Sequence, residues 1–274
     1  MAAMFRFAAC QMASSADKTA NLVRAKGAIA SAVAKGAQVV CLPEVWNSPY
    51  SNDSFPSYAE AAPGGESSEM LAAEAKAHGI FLIGGSIPER DESDGRLYNT
   101  CLVYGPQGEL LAKHRKVHLF DIDIPGLITF QESKTLSAGD SATSFDTPFG
   151  RFGVAICYDV RFPELSSKMA RDGCRFLVYP AAFNTTTGPL HWDLLFRSRA
   201  VDHQLFVAAV SPSRVPGPGY QAWGHSLVVD PWGKVLASAA EDEEVIVADI
   251  DMSLVEDFRR KIPTRLQRRP EVYR

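Results

Sequence analysis

FGVAICYDVRFPEL, residues 152–165, joins a short apolar run to a polar turn and the start of a helix. Phe152 to Ile156 follows the turn dipeptide Phe149-Gly150 and has the composition of a buried parallel strand. Pro163-Glu164-Leu165 opens a helix, with proline in the first turn and an acid beside it. Cys157 thus falls between a strand's carboxyl end and a helix start, where α/β sheets hold their ligands. Unpaired N–H groups at the helix entry favour a thiolate there. The plainer reading of a lone cysteine is a small apolar core residue. Tyr158, Asp159 and Arg161 directly behind it favour chemistry instead.

The same grammar runs in both directions from this stretch. Upstream, Phe5 to Gln11 reads as a strand, Lys18 to Lys35 as an amphipathic helix stopped by Gly36, and Val39 to Leu42 as a buried strand ending in Pro43-Glu44. A polar loop from Trp46 to Tyr58 leads to a helix from about Ser67 to His78 and a strand over 80–87. Leu97 to Tyr104 and Leu110 to His114 pair as a hairpin through Pro106-Gln107-Gly108. Downstream, Pro163 to Arg171 is a helix, Phe176 to Pro180 a strand, His191 to Asp202 a helix and Phe206 to Val210 a strand. VVCLPE matches FLVYPA, and FLIGGS matches FVAAVS, so the halves repeat. Ser226 to Val229, Val235 to Ser238 and Val245 to Ile250 read as antiparallel additions to the second half. Two such halves predict an α/β layered fold, two central sheets with helices outside. No linker divides the chain, which predicts a single domain over 1–274.

A chain of 274 residues, 46% apolar, can bury a large core, and its net charge of -4 carries no general footprint for nucleic acid or anionic membrane. Arg259, Arg260, Lys261, Arg265, Arg268, Arg269 and Arg274 form a local basic cluster that reads as a solvated or dimer-facing tail rather than a polyanion contact. Five cysteines without a CxxC pair favour reduced thiols and a cytoplasmic location. No apolar run reaches the roughly 18 residues that span a bilayer.

Three charged residues sit at polar exits from apolar runs. A strand delivers Glu44 to the same sheet edge as Cys157, where a partly desolvated carboxylate works as a general base; a turn-capping surface acid is the alternative. Lys116, in HRKVHLF, reads as a solvated strand face on its own. Beside a thiol it would lower the thiol pKa and stabilise an oxyanion. Glu132 alone reads as a cap or a loop residue.

LPEVWNSPY, HRKVHLFDIDIPG, FQESKTLSAGD, AICYDVRFPEL, YPAAFNTTTGPLHWDLL and WGHSLVVDPWG, in that order, resemble the nitrilase-type carbon–nitrogen hydrolase family over about Phe5 to Tyr273. The resemblance implies a four-layer αββα sandwich, usually paired in dimers, and an amidase without metal or cofactor. It implies a catalytic triad of Glu44, Lys116 and Cys157, with Glu132 in support. HLFDIDIPG and ITFQESKTLSAGD most resemble the omega-amidases, which hydrolyse the terminal amide of 2-oxoglutaramate and 2-oxosuccinamate; an amidase acting on deaminated glutathione is the alternative. Ser213 to Tyr220 departs from the more polar loop of those relatives.

In the implied reaction Glu44 deprotonates Cys157, and Lys116 with the backbone N–H of Tyr158 holds the oxyanion. Arg161 is the candidate for the substrate's distal carboxylate, against a structural pair with Glu164 or Asp159. The expected partners are a carboxylate-bearing amide, water and a second copy of the chain, with the tail from about 262 to 274 at the dimer contact. A papain-like enzyme would pair Cys157 with His78, His114, His118, His191, His203 or His225, but no CGSCW-like context surrounds it. His114 and His118, i and i+4 on a strand-like segment, would stand too far apart for one metal. A non-catalytic binding protein is the remaining alternative.

Overall fold

The computed structural model describes residues 4–217 and 219–272. In chain order the first half runs β1 (Met4–Gln11), α1 (Lys18–Ala34), β2 (Val39–Cys41), α2 (Phe55–Tyr58), α3 (Glu66–His78), β3 (Phe81–Ile83), β4 (Ile87–Arg90), β5 (Leu97–Tyr104) and β6 (Leu110–Arg115). A hairpin follows, β7 (Asp121–Ile124) and β8 (Ile128–Gln131), and then β9 (Thr143–Thr147). The second half has β10 (Gly150–Val154), α4 (Pro163–Arg171), β11 (Phe176–Pro180), α5 (Gly188–His203), β12 (Phe206–Val210), β13 (Leu227–Val229), β14 (Val235–Ser238), β15 (Glu244–Asp251) and α6 (Ser253–Lys261).

Two sheets carry the expected repeat. β1, β2 and β3 run parallel in one, and β10, β11 and β12 run parallel in the other. The slot beside β10 is filled by β9, which immediately precedes it. The matching slot beside β1 is filled by β15 from the far end of the chain, with Phe5 opposite Ile250. The expectation that Val245 to Ile250 extends the second half's sheet is therefore corrected. Alternation marks those residues as a strand but carries no information about which sheet edge they join.

β1 shows why four layers form. Phe5, Phe7 and Ala9 face the core between the sheets, while Ala8 and Cys10 face the core under α1 and α3. Both faces are buried, so both read as apolar. Phe5, Phe7, Phe152, Phe176 and Phe206 bridge the sheets at centroid separations of 5.0–6.1 Å. Each such buried ring contributes roughly 1.5–3 kcal/mol. α4 and α5 cover the outer face of the second sheet, where Met169 and Phe196 are buried.

The expected strand over 80–87 is two strands. β3 and β4 both pair with β5, and Gly84-Gly85-Ser86 bends between them. That bend cradles the turn carrying Glu44. Ser86 N–H donates to the Pro43 carbonyl at 3.0 Å, Val45 N–H donates to Ser86 Oγ at 3.0 Å, and Trp46 Nε1 donates to the Gly84 carbonyl at 2.7 Å. Gly85 has φ +65, and a Cβ there would meet the Pro43 oxygen at 2.2 Å. Only glycine allows the two backbones to come this close.

Candidate active site

Glu44 leaves the end of β2, Cys157 the end of β10 and Ala182 the end of β11, all at the carboxyl edges of parallel strands. Lys116 follows β6, and Glu132 follows the β7–β8 hairpin. These connections bring together residues up to 138 positions apart in sequence (Glu44 to Ala182), all of them buried. Lys116 Nζ donates to Glu44 Oε1 at 2.9 Å and lies 3.1 and 2.9 Å from Glu132 Oε1 and Oε2. Asn99 Nδ2 donates to Glu44 Oε1 at 2.9 Å, the Ala182 N–H donates to Glu44 Oε2 at 2.8 Å, and the Phe120 N–H donates to Glu132 Oε2 at 2.6 Å. The Cys157 thiol adjoins the Glu44 carboxyl and the Ala182 N–H.

The electrostatics correct one expectation. Burial, with the Glu44 charge second, pushes the Cys157 thiol well above its ordinary range, against the pull of Lys116. Cys157 therefore rests as a thiol, not as the thiolate that a helix entry favours; desolvation outweighs the few N–H dipoles. Burial raises the Glu44 carboxyl too; Lys116 opposes the rise and Glu132 adds to it, which makes Glu44 a stronger proton acceptor than an ordinary carboxylate. Burial alone would lower Lys116, but Glu132 and Glu44 more than offset it, so the ammonium stays charged. A neutral thiol beside an avid carboxylate and a fixed cation is an arrangement for moving one proton.

Backbone strain marks the same place. Cys157 has φ +45, and Val45, directly after Glu44, has φ +49. Such conformations cost non-glycine residues roughly 1–3 kcal/mol and persist where surrounding contacts over-determine them. The expected strand ends at Val154, and Cys157 opens a tight 3-10 turn, Cys157–Arg161, before α4.

Arg161 pairs with neither Glu164 nor Asp159. Its Nη1 donates to His191 Nδ1 at 3.3 Å, and its guanidinium lies 4.9 Å from the Phe183 ring centre and 5.6 Å from that of Tyr158. Among the described residues it has no carboxylate partner. His114 and His118 are not far apart in effect: the chain turns after Arg115, and both rings reach Asp159. Neither serves Cys157.

Several residues of the site, and the ring of Tyr158, go beyond what the sequence motifs point to. Asn99 is a buried polar residue, with Thr100 beside it, inside the largely apolar β5, which is the available signal. Tyr50 OH lies 3.4 Å from Lys116 Nζ, and its ring stacks on Tyr220 at 4.4 Å. Phe120, Phe130 and Tyr158 continue this aromatic wall. Phe130 and Glu132 are delivered by the β7–β8 hairpin, whose Asp-Ile-Asp-Ile alternation and Pro125-Gly126 turn are legible once sought. A cavity of about 270 Å³ reaches Glu44 and Tyr50 from the segments 14–16 and 212–222. Within the latter, Pro218 lies outside the described residues.

Residues 6–260 match the carbon–nitrogen hydrolase family. The chain is 56% identical over 271 residues to omega-amidase NIT2 of Xenopus tropicalis, covering 99% of this chain and 97% of that one. It is 55% identical to omega-amidase NIT2 of Homo sapiens, covering 98% and 96% of the two chains. The crystal structure of Nit3 of Saccharomyces cerevisiae, a member of the nitrilase superfamily, superposes with a TM-score of 0.88 at 46% identity, covering 95% and 94%. The expected sandwich and amidase class both hold, and the chain belongs to the carbon–nitrogen hydrolase family.

Proposed function

We propose that the chain is an omega-amidase that hydrolyses the terminal amide of 2-oxoglutaramate or 2-oxosuccinamate to the 2-oxo dicarboxylate and ammonia. One observation carries the reading: Glu44, Lys116 and Glu132 form a single buried cluster against the Cys157 thiol. The identity to omega-amidases along nearly the whole chain supports the substrate class.

In the proposed mechanism Glu44 takes the thiol proton as Cys157 Sγ bonds to the amide carbon. Lys116 Nζ and the Tyr158 N–H hold the resulting oxyanion. Protonated Glu44 returns that proton to the leaving nitrogen, the carbon–nitrogen bond breaks, and ammonia departs from a thioester. Water, deprotonated by Glu44, then attacks the thioester carbon; the carbon–sulfur bond breaks and the thiol regains the proton. Glu132 keeps Lys116 charged and fixed. Arg161, half-buried and without a carboxylate partner among the described residues, would bind the distal carboxylate in bidentate fashion.

The chain would act as one domain and as a homodimer. α5 exposes Leu190, Leu194 and Val201 along one face, and Ile262 and Leu266 are exposed beyond α6, which supports a contact there. Within the proposed tail 262–274, Tyr273 and Arg274 lie outside the described residues, and Arg274 of the basic cluster lies there too. Arg260 and Lys261 each lie 2.7 Å from Asp257, which favours a locally neutralised surface over a polyanion site. Among the described residues no helix is long and apolar enough to cross a membrane.

An ammonia-release assay on 2-oxoglutaramate, 2-oxosuccinamate, deaminated glutathione and a plain nitrile, with Cys157→Ala as control, tests the reading. Turnover of the first two that vanishes in the control is the expected result. Preference for deaminated glutathione, or activity that survives the control, would overturn it.

A further inference from the structure

Asp159 is fully buried two residues after Cys157, and four hydrogen bonds converge on its carboxylate. Oδ2 accepts from the Ile156 N–H at 2.9 Å and from His114 Nε2 at 3.2 Å. Oδ1 accepts from the His118 N–H at 2.9 Å and from His118 Nδ1 at 2.8 Å. An ionised carboxylate only accepts, so both imidazoles present N–H groups to it, while His114 Nδ1 on the other side of its ring lies 2.9 Å from Thr143 Oγ1. The His118 ring stacks face to face on Phe162 at 3.7 Å, 8° from parallel.

These partners have one thing in common. Ile156 immediately precedes Cys157, while His114 and His118 stand two residues before and two after Lys116. One carboxylate therefore clips the turn carrying the sulfur to the segment carrying the ammonium. The turn is the one in which Cys157 is held at φ +45, a conformation that needs external contacts to persist. Arg199 Nε adds another by donating to the Val160 carbonyl at 3.0 Å.

We propose that Asp159 is a positioning residue that sets the separation of Cys157 and Lys116 through its bonds to Ile156, His114 and His118. It touches neither substrate nor the reacting atoms, and the role rests on the reading of Cys157 and Lys116 given above. Asparagine cannot replace it. Its single oxygen serves two of the donors, and its NH₂ group then faces a backbone N–H, donor against donor, and an imidazole that must change tautomer to accept from it.

The test is Asp159→Asn, assayed for ammonia release from 2-oxoglutaramate and for iodoacetamide alkylation of Cys157 followed by peptide mass, with the folded fraction measured by circular dichroism. The expected result is a folded protein whose kcat falls at least 50-fold, whose KM stays within threefold, and whose Cys157 alkylates at least fivefold more slowly. His114→Leu should lose activity in the same pattern, and His114→Gln, which keeps an N–H near the Nε2 position, should recover most of it. If Asp159→Asn does not fold, the two His114 variants carry the comparison. A kcat within fivefold of wild type, a loss matching the unfolded fraction, or equal activity of the two His114 variants would overturn the proposal. Full activity of Cys157→Ala would instead overturn the catalytic reading beneath it.

Discussion

The Lys116 ammonium lies 2.9 Å from Glu44 Oε1, with both side chains sealed from solvent. A pair in this position is costly to desolvate, and removing one member typically costs 3–5 kcal/mol because the other is left buried and uncompensated. Here the second carboxylate, Glu132, and the donors Asn99 and Ala182 complete the shell. A purely structural role would be filled as well by apolar side chains of similar volume. The arrangement is explained by what it does to Glu44: the carboxylate stays beside a protonated thiol with a raised affinity for its proton.

Gly85→Ala reaches this carboxylate from outside the site. A methyl at φ +65, 2.2 Å from the Pro43 oxygen, forces the Glu44 turn away from its cradle. We expect a stability loss of roughly 2–3 kcal/mol, read from the denaturant midpoint, and a fall in kcat at temperatures where the variant is still folded. Unchanged kcat in folded protein would mean that the bend does not position Glu44.

Arg161→Lys keeps the charge but loses the planar fork. KM for 2-oxoglutaramate should rise at least tenfold, while KM for an uncharged amide of similar length changes less than threefold. Equal changes for both substrates would remove Arg161 from the distal-carboxylate role.

The two halves of the fold are legible because β2 and β11 each end an apolar run in proline, and the proposed catalytic pair stands out in the sequence because Glu44 and Cys157 follow such runs directly. The β7–β8 hairpin gives little signal in the sequence, since its strands are four residues long and half polar. The sequence marks β15 as a strand but not the sheet it joins, which is the first half's and not the second's, because register and edge are decided by packing between distant segments. Asp159 stands in plain view in CYDVR, yet its imidazole partners lie 45 and 41 positions away, at His114 and His118.

His203 supplies a pH prediction. Its ring is buried with neither nitrogen hydrogen-bonded among the described residues, and burial, with Arg199 and Arg268 nearby, lowers its pKa to about 4. Below pH 6.5 the unfolded chain binds this proton and the folded chain does not. Stability is therefore complete above pH 6.5 and is lost as pH falls toward 4, by up to about 3 kcal/mol. The difference in unfolding free energy between wild type and His203→Phe should change by that order between pH 7 and pH 4.5. A pH-independent difference would contradict a neutral buried imidazole.

Leu194→Asp tests the proposed dimer. Leu194 is 61% exposed on α5, between Leu190 and Val201. Light scattering should show wild type at twice the chain mass and the variant at the chain mass, with unchanged circular dichroism. A monomeric wild type, or a variant that still dimerises, would remove this face from the contact.

Glu44→Gln is the most direct measurement of the central claim, because it keeps the shape of the side chain and removes its ability to carry a proton. Ammonia release from 2-oxoglutaramate should fall at least a thousandfold while the protein remains folded. Activity within tenfold of wild type would contradict a carboxyl base at Glu44 and return the search to a histidine.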